Sequence, residues 1–307
     1  MLRYALLRIF GAIPTLLLVI ALAFLMVHAA PGGPFDSERV LPPDVEANIA
    51  RAYHLDETLP QQFVRYVRGL LRGDLGPSFV YVDRNVSSVI ASALPVSMQL
   101  GALAMLIALV AGLAAGLTAA LRKNSYLDRL VTGIAMLGIS VPVFVIAPVV
   151  VLVFAVYLNW LPASWTGGGG VSRLILPVMV LALPQIAYIA RLTRASMIGV
   201  LSSDFVRTAR AQGLKTSSII RYHALKPAML PLVSYMGPAI AGILTGSVVI
   251  EQVFGIPGLG QFFINGALNR DYTLVLGIVI FYAALVIGLN LVVDLLYGIL
   301  DPRIRNR

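Results

Sequence analysis

Few side chains in this sequence can do chemistry, and where they fall is informative. The histidines are His28, His54 and His223, and there is no cysteine. Three imidazoles so far apart do not suggest a metal site, and disulfides, thiolate ligands and a cysteine nucleophile are excluded. No Ser–His–Asp set lies close enough in sequence or sidedness to suggest hydrolysis. Gly213-Leu214-Lys215-Thr216 contains a Gly-x-Lys-Thr fragment. It lacks the first glycine and the preceding strand of a phosphate loop, so it is not read as a nucleotide site. The run Gly167 to Gly170 reads as an outer turn, not a nucleotide cradle. Two acids stand out because they sit in apolar stretches: Glu251 near the end of one and Asp294 inside another. A charge at mid-bilayer costs roughly 2.5–3.5 kcal/mol on insertion scales, so each needs a partner or a function. Arg270 is the candidate partner of Glu251, as a cap or gate contact. Arg303 or Arg305 is the candidate partner of Asp294. Ser247 and Gln252 could line a pathway, although polar side chains also serve as packing glue between helices.

The elements that hold these residues follow from composition. The chain has 307 residues, of which 59% are hydrophobic and only 12% charged. That is too little charge to cover a soluble globule and far too apolar for a disordered chain. A hydrocarbon core of about 30 Å needs roughly 20 apolar residues as helix. Six stretches qualify: about Ile9–Ala30, Val96–Leu121, Val131–Leu158, Leu174–Leu192, Met229–Val253 and Leu274–Leu300. The first is too long for a signal peptide and no small-residue cleavage site closes it; Ala30-Pro31-Gly32-Gly33-Pro34 ends it as a turn. Pro142, Pro148, Pro177 and Pro184 interrupt the third and fourth spans and predict kinks there. The expectation is an all-α, polytopic membrane protein forming a single transmembrane domain over 1–307.

Six spans put both termini on one side. With the N-terminus inside, the inner segments hold fifteen basic residues against three acids, Asp128, Asp204 and Asp301. The outer segment from Pro31 to Pro95 holds six basic and eight acidic residues, and Asn159–Ser172 holds no charge. This bias sets the orientation as N-in and C-in, and accounts for the net charge of +9 without nucleic acid.

Two loops are large. The outer insertion, about 31–95, predicts one helix starting near Leu41-Pro42-Pro43-Asp44. A second amphipathic helix is predicted over about Gln61–Leu71, with Phe63, Val67, Leu70 and Leu71 on one face. Gly73-Asp74-Leu75-Gly76-Pro77 then breaks the chain. The inner loop, about 193–228, is basic and helical by propensity, with one break at Gly213. It reads Asp204-Phe205-Val206-Arg207-Thr208-Ala209-Arg210-Ala211-Gln212-Gly213-Leu214, and later Lys226-Pro227-Ala228-Met229-Leu230-Pro231. Small residues at Ala209 and Ala211 would let another protein approach the backbone, and the arginines would dock it electrostatically. The rival reading is a basic segment lying on anionic headgroups.

The Ala-x-x-x-Gly core of this loop, followed by Leu-Pro, resembles the coupling loop of ABC importer permeases. Arg207 stands where most of that family has a glutamate. The Arg-Thr-Ala-Arg-Ala-x-Gly-Leu form is similar to the peptide and nickel branch. Other segments agree in order along the whole chain: Ile13-Pro14-Thr15, Gly73-Asp74-Leu75-Gly76-Pro77-Ser78, Asn159-Trp160-Leu161-Pro162, Gly255-Ile256-Pro257-Gly258-Leu259-Gly260, Asn269-Arg270-Asp271-Tyr272 and Asp301-Pro302-Arg303.

The resemblance implies a type I importer permease fold in the bacterial inner membrane, carrying oligopeptides inward. It implies a second homologous permease as heterodimer partner, two ATPase subunits that hold ATP and Mg, and an extracytoplasmic peptide-binding protein. No cofactor is expected on this chain and no enzymatic activity. Arg207, Thr208, Ala209, Arg210, Ala211, Gly213 and Leu214 would meet the ATPase. Asp74, Gly76, Glu251, Gly255, Pro257, Gly258 and Gly260 would form the outer gate or meet the binding protein, which the outer insertion would also touch. A dipeptide, nickel or other small-solute permease of the same family is the alternative. An ion-driven secondary transporter, which needs buried ionisable groups mid-membrane, has only Asp294 to offer.

Overall fold

The computed structural model describes residues 2–29, 56–81, 83–165 and 170–300. The expected helix near Leu41–Asp44, the turn at Ala30–Pro34, most of the glycine run and the partners offered to Asp294 lie outside these residues. The described elements are helical: α1 (Leu2–Ala29), α2 (Leu59–Leu70), α3 (Val86–Leu121), α4 (Tyr126–Ser140), α5 (Val143–Val150), α6 (Val171–Leu201), α7 (Asp204–Ala211), α8 (Leu225–Phe254), α9 (Leu259–Leu268) and α10 (Tyr272–Leu300). Two π-helical stretches, Val151–Tyr157 and Ile219–Ala224, extend α5 and lead into α8. Among the described residues, five helices are long and apolar enough to cross a membrane, and α4 with α5 and its π extension makes a sixth span if the bent pair counts as one.

That third span departs from the sequence expectation. It is not one rod over Val131–Leu158; it bends by 103° between Ser140 and Val143. Pro142 is the reason: it cannot donate to the helix of α4, forces Val141 out of the α region (φ −90°, ψ 121°) and starts α5 as its N-cap. Pro177 and Pro184 behave otherwise. Both sit inside the continuous helix α6, where neighbouring groups tolerate them.

The chain divides into two compact units, which cut α3 after Val96 and α10 after Ile287. One unit holds residues 6–96 and 257–287. In it, α2 lays Phe63, Tyr66, Val67 and Leu70 on Ile20 and Phe24 of α1 and on Leu276 and Ile280 of α10. Leu71 does not join that face as the periodicity suggested. It is 84% exposed, because α2 ends at Leu70 and the backbone reverses through Gly73 (φ +76°). A second core joins Val86, Val89, Ile90 and Ala93 of α3 to Leu259, Leu274 and Ile278.

The other unit holds residues 1–5, 97–256 and 288–307. Its centre is α6, buried from Leu174 to Met197 along one face and packed on α8 and α4. Helix α3 approaches α6 at two glycines. A Cβ on Gly112 would lie 2.8 Å from Ile189 Cβ, and one on Gly116 would run into the Ala190 carbonyl and sit 2.8 Å from Thr193 Cβ. Without a hydrophobic drive between helices in lipid, such small residues let backbones pack closely. The Gly-x-x-x-Gly spacing was there to be read.

Candidate functional site

The inner loop is built by two breaks, not one. Helix α6 continues past the expected end of its span to Leu201. There the hydroxyls of Ser202 and Ser203 donate to the Gly199 and Val200 carbonyls at 2.8 and 2.6 Å, and Ser203 turns extended as the N-cap of α7. Asp204 in the first turn of α7 suits the helix dipole and pairs with Arg207. The far end closes at Gly213 (φ +81°). The Gly213 N–H donates to the Arg210 carbonyl at 2.9 Å and the Leu214 N–H reaches the Ala209 carbonyl at 3.3 Å. That pair of bonds is a Schellman cap. Lys215 then caps a turn at Thr216–Ser218, and the π-helical stretch returns the chain to α8.

Side-chain directions divide the predicted contact residues. Val206 and Ala209 point inward, 0% and 6% exposed, against Ile219 and Val200. Ala209 is therefore small for internal packing and does not open the backbone to another protein. Arg207, Thr208, Arg210, Ala211, Gly213 and Leu214 are exposed, with Phe205 beside them at 49% and Leu214 at 41%. Phe205 was not singled out from sequence, although an aromatic in an otherwise basic loop was a signal. Beneath α7, Ala120, Met197, Ala224 and Ala228 form a core shared by the inner ends of α3, α6 and α8.

The outer residues fall into both units. Glu251 and Gly255 end α8. Glu251 is fully buried, so in this conformation it is an internal group and not a docking residue. Gly255 (φ +63°) caps α8 with the same motif: its N–H donates to Gln252 O at 3.4 Å, and Ile256 N–H to Glu251 O at 2.8 Å. Here the residue after the glycine, Ile256, is wholly buried. Of the pathway candidates, Ser247 is buried with its hydroxyl on the Leu244 carbonyl at 2.8 Å, whereas Gln252 is exposed.

In the other unit, Pro257 is exposed while Gly258 and Gly260 are buried. Gly76 (φ +85°) lies so near α10 that a Cβ would meet Thr273 Cγ2 at 2.8 Å. Asp271, 0% exposed, ties this region together. It accepts from the Ser78 hydroxyl and from the N–H groups of Val80 (3.2 Å) and Leu274 (3.1 Å), capping α10. Asp271→Ala strands these donors, at about 1–3 kcal/mol for each that stays buried and unsatisfied. The thermal midpoint of the purified protein should fall sharply, and an unchanged midpoint would refute this account.

Asp74 accepts from Asn85 Nδ2 and Gly76 N–H, both at 2.9 Å. The Asn85 amide first, then the Gly76 N–H, hold its carboxyl below the ordinary 3.8. The ionised form therefore stabilises the loop above pH 3.8, and that contribution is lost as pH falls through the lower folded value. Comparing thermal midpoints of wild type and Asp74→Asn should show a small gap at neutral pH that closes on acidification below this point.

The N-terminal model of the binding-protein-dependent transport system membrane component matches residues 1–101. The model described as binding-protein-dependent transport system inner membrane component matches residues 112–306. The chain belongs to this family. It is 52% identical over 305 residues to the oligopeptide transport system permease protein OppB of Escherichia coli strain K12, covering 99% of this chain and 100% of the relative. It is 40% identical over 306 residues to the dipeptide permease DppB of Bacillus subtilis strain 168, covering 99% and 98%. Among solved structures, the inward-facing MetNI methionine ABC transporter matches with TM-score 0.56 and 16% identity, over 69% of this chain and 96% of that one. The fold is thus shared with an ABC transporter. This permease is a multi-pass inner-membrane transport component, not an enzyme, and such a component works with an ATPase and a binding protein.

Proposed function

We propose that this permease is one half of the membrane channel of an oligopeptide importer. The other half is a homologous permease, so the pair is a heterodimer. Two ATPase subunits hold ATP and Mg, this chain binds no cofactor, and an extracytoplasmic binding protein delivers peptide from the outer side. The whole chain, 1–307, acts as one permease domain with N and C termini inside.

The observation that carries this reading is the outer face of α7. Phe205, Arg207, Thr208 and Ala211 are presented to solvent on a helix of eight residues fixed at both ends, and Leu214 is presented just beyond its cap. The exposed leucine after a Schellman glycine is the residue such motifs usually bury. A surface of this kind suits a cleft in another protein.

Oligopeptide cargo is favoured over dipeptide by the higher identity to OppB than to DppB. At the outer side, Asp74 and Pro257 remain the exposed candidates for binding-protein contact.

The test is affinity purification in mild detergent through a C-terminal tag. ATPase subunits and a second permease should copurify. A chain that arrives alone, or as a homodimer without ATPase, would refute the assignment. Uptake of dipeptides against longer peptides, in cells with no other peptide importer, then decides the cargo.

A further inference from the structure

The basic and acidic residues of the inner face include a pair whose geometry exceeds what orientation requires. Asp128, in the first turn of α4, is 3% exposed. Both of its carboxylate oxygens accept from one guanidinium: Arg194 Nε on Oδ1, and Arg194 Nη2 on Oδ2 at 2.8 Å. Oδ2 also accepts the N–H of Asn124 at 2.9 Å, and the Asp128 N–H donates to the N-cap Ser125 hydroxyl at 3.3 Å. Asn124 takes φ +64° to make this turn. One carboxylate thus fixes the α3–α4 turn and locks it to α6, seven residues before α6 ends at Leu201.

The rest of the α4–α6 contact is apolar. An apolar crevice of about 400 Å³ opens among α3, α4, α5 and α6, lined among others by Ile134, Ala135, Gly138, Ile186 and Ala187. Apolar packing there is close at Gly138, whose Cβ would lie 3.2 Å from Ala187 Cβ, but it is non-directional. The bidentate pair at its inner end is directional and rigid in a way that apolar contact is not. Meanwhile α7 follows α6 after two residues, Ser202 and Ser203.

We propose that the Asp128–Arg194 clamp is the link that makes the bent α4–α5 span move with α6 when α7 is displaced. Both are positioning residues for transport. The proposal rests on the importer reading given above. Movement at α7 reaches α6 through the chain itself, reaches α3 through the Gly112 and Gly116 contacts, and reaches α4 through the clamp.

The absence of cysteine from this sequence means that a cross-link within the chain can form only between thiols introduced by design. The complete complex, with both permeases, the ATPases and the binding protein, is reconstituted in liposomes, and peptide moved per ATP hydrolysed is measured. Asp128→Asn keeps the shape and removes the charge. It should lower that ratio about tenfold, an ordinary size for coupling between sites.

A second variant adds Gly138→Cys and Ala187→Cys to Asp128→Asn. A Cβ at Gly138 would lie 3.2 Å from Ala187 Cβ, close enough for an oxidised cross-link between α4 and α6 after a small shift. Oxidation should restore the ratio and reductant should remove it again, which a loss of stability alone would not do. An Asp128→Asn complex with the wild-type ratio overturns the clamp, as does a loss that persists once the cross-link has formed. A wild-type complex in which peptide and binding protein do not stimulate ATP hydrolysis would count against the importer reading itself.

Discussion

Gly213→Val should reduce transport by the assembled complex about tenfold or more while leaving the chain in the membrane. No neighbouring atom lies within 4 Å of a Cβ at this position, so crowding is not the cause. The cause is φ +81°. An L-residue pays roughly 1–2 kcal/mol there, and a β-branched one fits worst. Relaxing that strain breaks the two cap bonds to Arg210 and Ala209 and moves Leu214 off its position. Gly213→Asn is the control, because asparagine tolerates the left-handed region. It should retain most of the transport. Equal loss in both variants would shift the explanation from backbone geometry to the bare surface that the glycine offers.

Gly116→Leu should act through assembly instead. The Cβ alone would collide with the Ala190 carbonyl, a backbone atom that cannot swing aside, and would press on Thr193. Overpacking costs about 1–3 kcal/mol when side chains can give way, and here the backbone of α6 must move. The variant should fall well below wild type in folded yield after mild-detergent extraction, read by size-exclusion profile. Gly133→Leu, at a site with open space around it, should be close to neutral. A monodisperse Gly116→Leu at wild-type yield would refute the close contact.

How far the sequence reached can be judged from these residues. Spans and inner loop were legible because membrane helices are written in long apolar runs and in the Lys and Arg bias. Gly213 was legible because a glycine that ends a polar helix has a known geometric use. The clamp was not: Asp128 and Arg194 are 66 residues apart, and nothing local distinguishes them from other interface charges. The direction of Ala209 was equally hidden, since small size suits packing inside as well as contact outside. The 103° bend was half visible. Four prolines flagged kinks, but only Pro142 coincides with a break in the helix, and which prolines a helix absorbs depends on neighbours that no short window contains.

The length of α6 has a mechanical consequence. Its 31 residues make a rod of about 46 Å at about 1.5 Å per residue, against a hydrocarbon layer of about 30 Å. Part of it must stand clear of the apolar layer, with α7 at its tip. Such a rod is a lever whose arm exceeds the thickness it crosses. A tilt of about 5° about the far end would carry Leu201 through an arc of roughly 4 Å, close to one helical turn of 5.4 Å. The same tilt would carry the stretch of α6 that meets Gly112 and Gly116 through roughly 2–3 Å, too far for those close contacts to survive unless α3 rocks with α6.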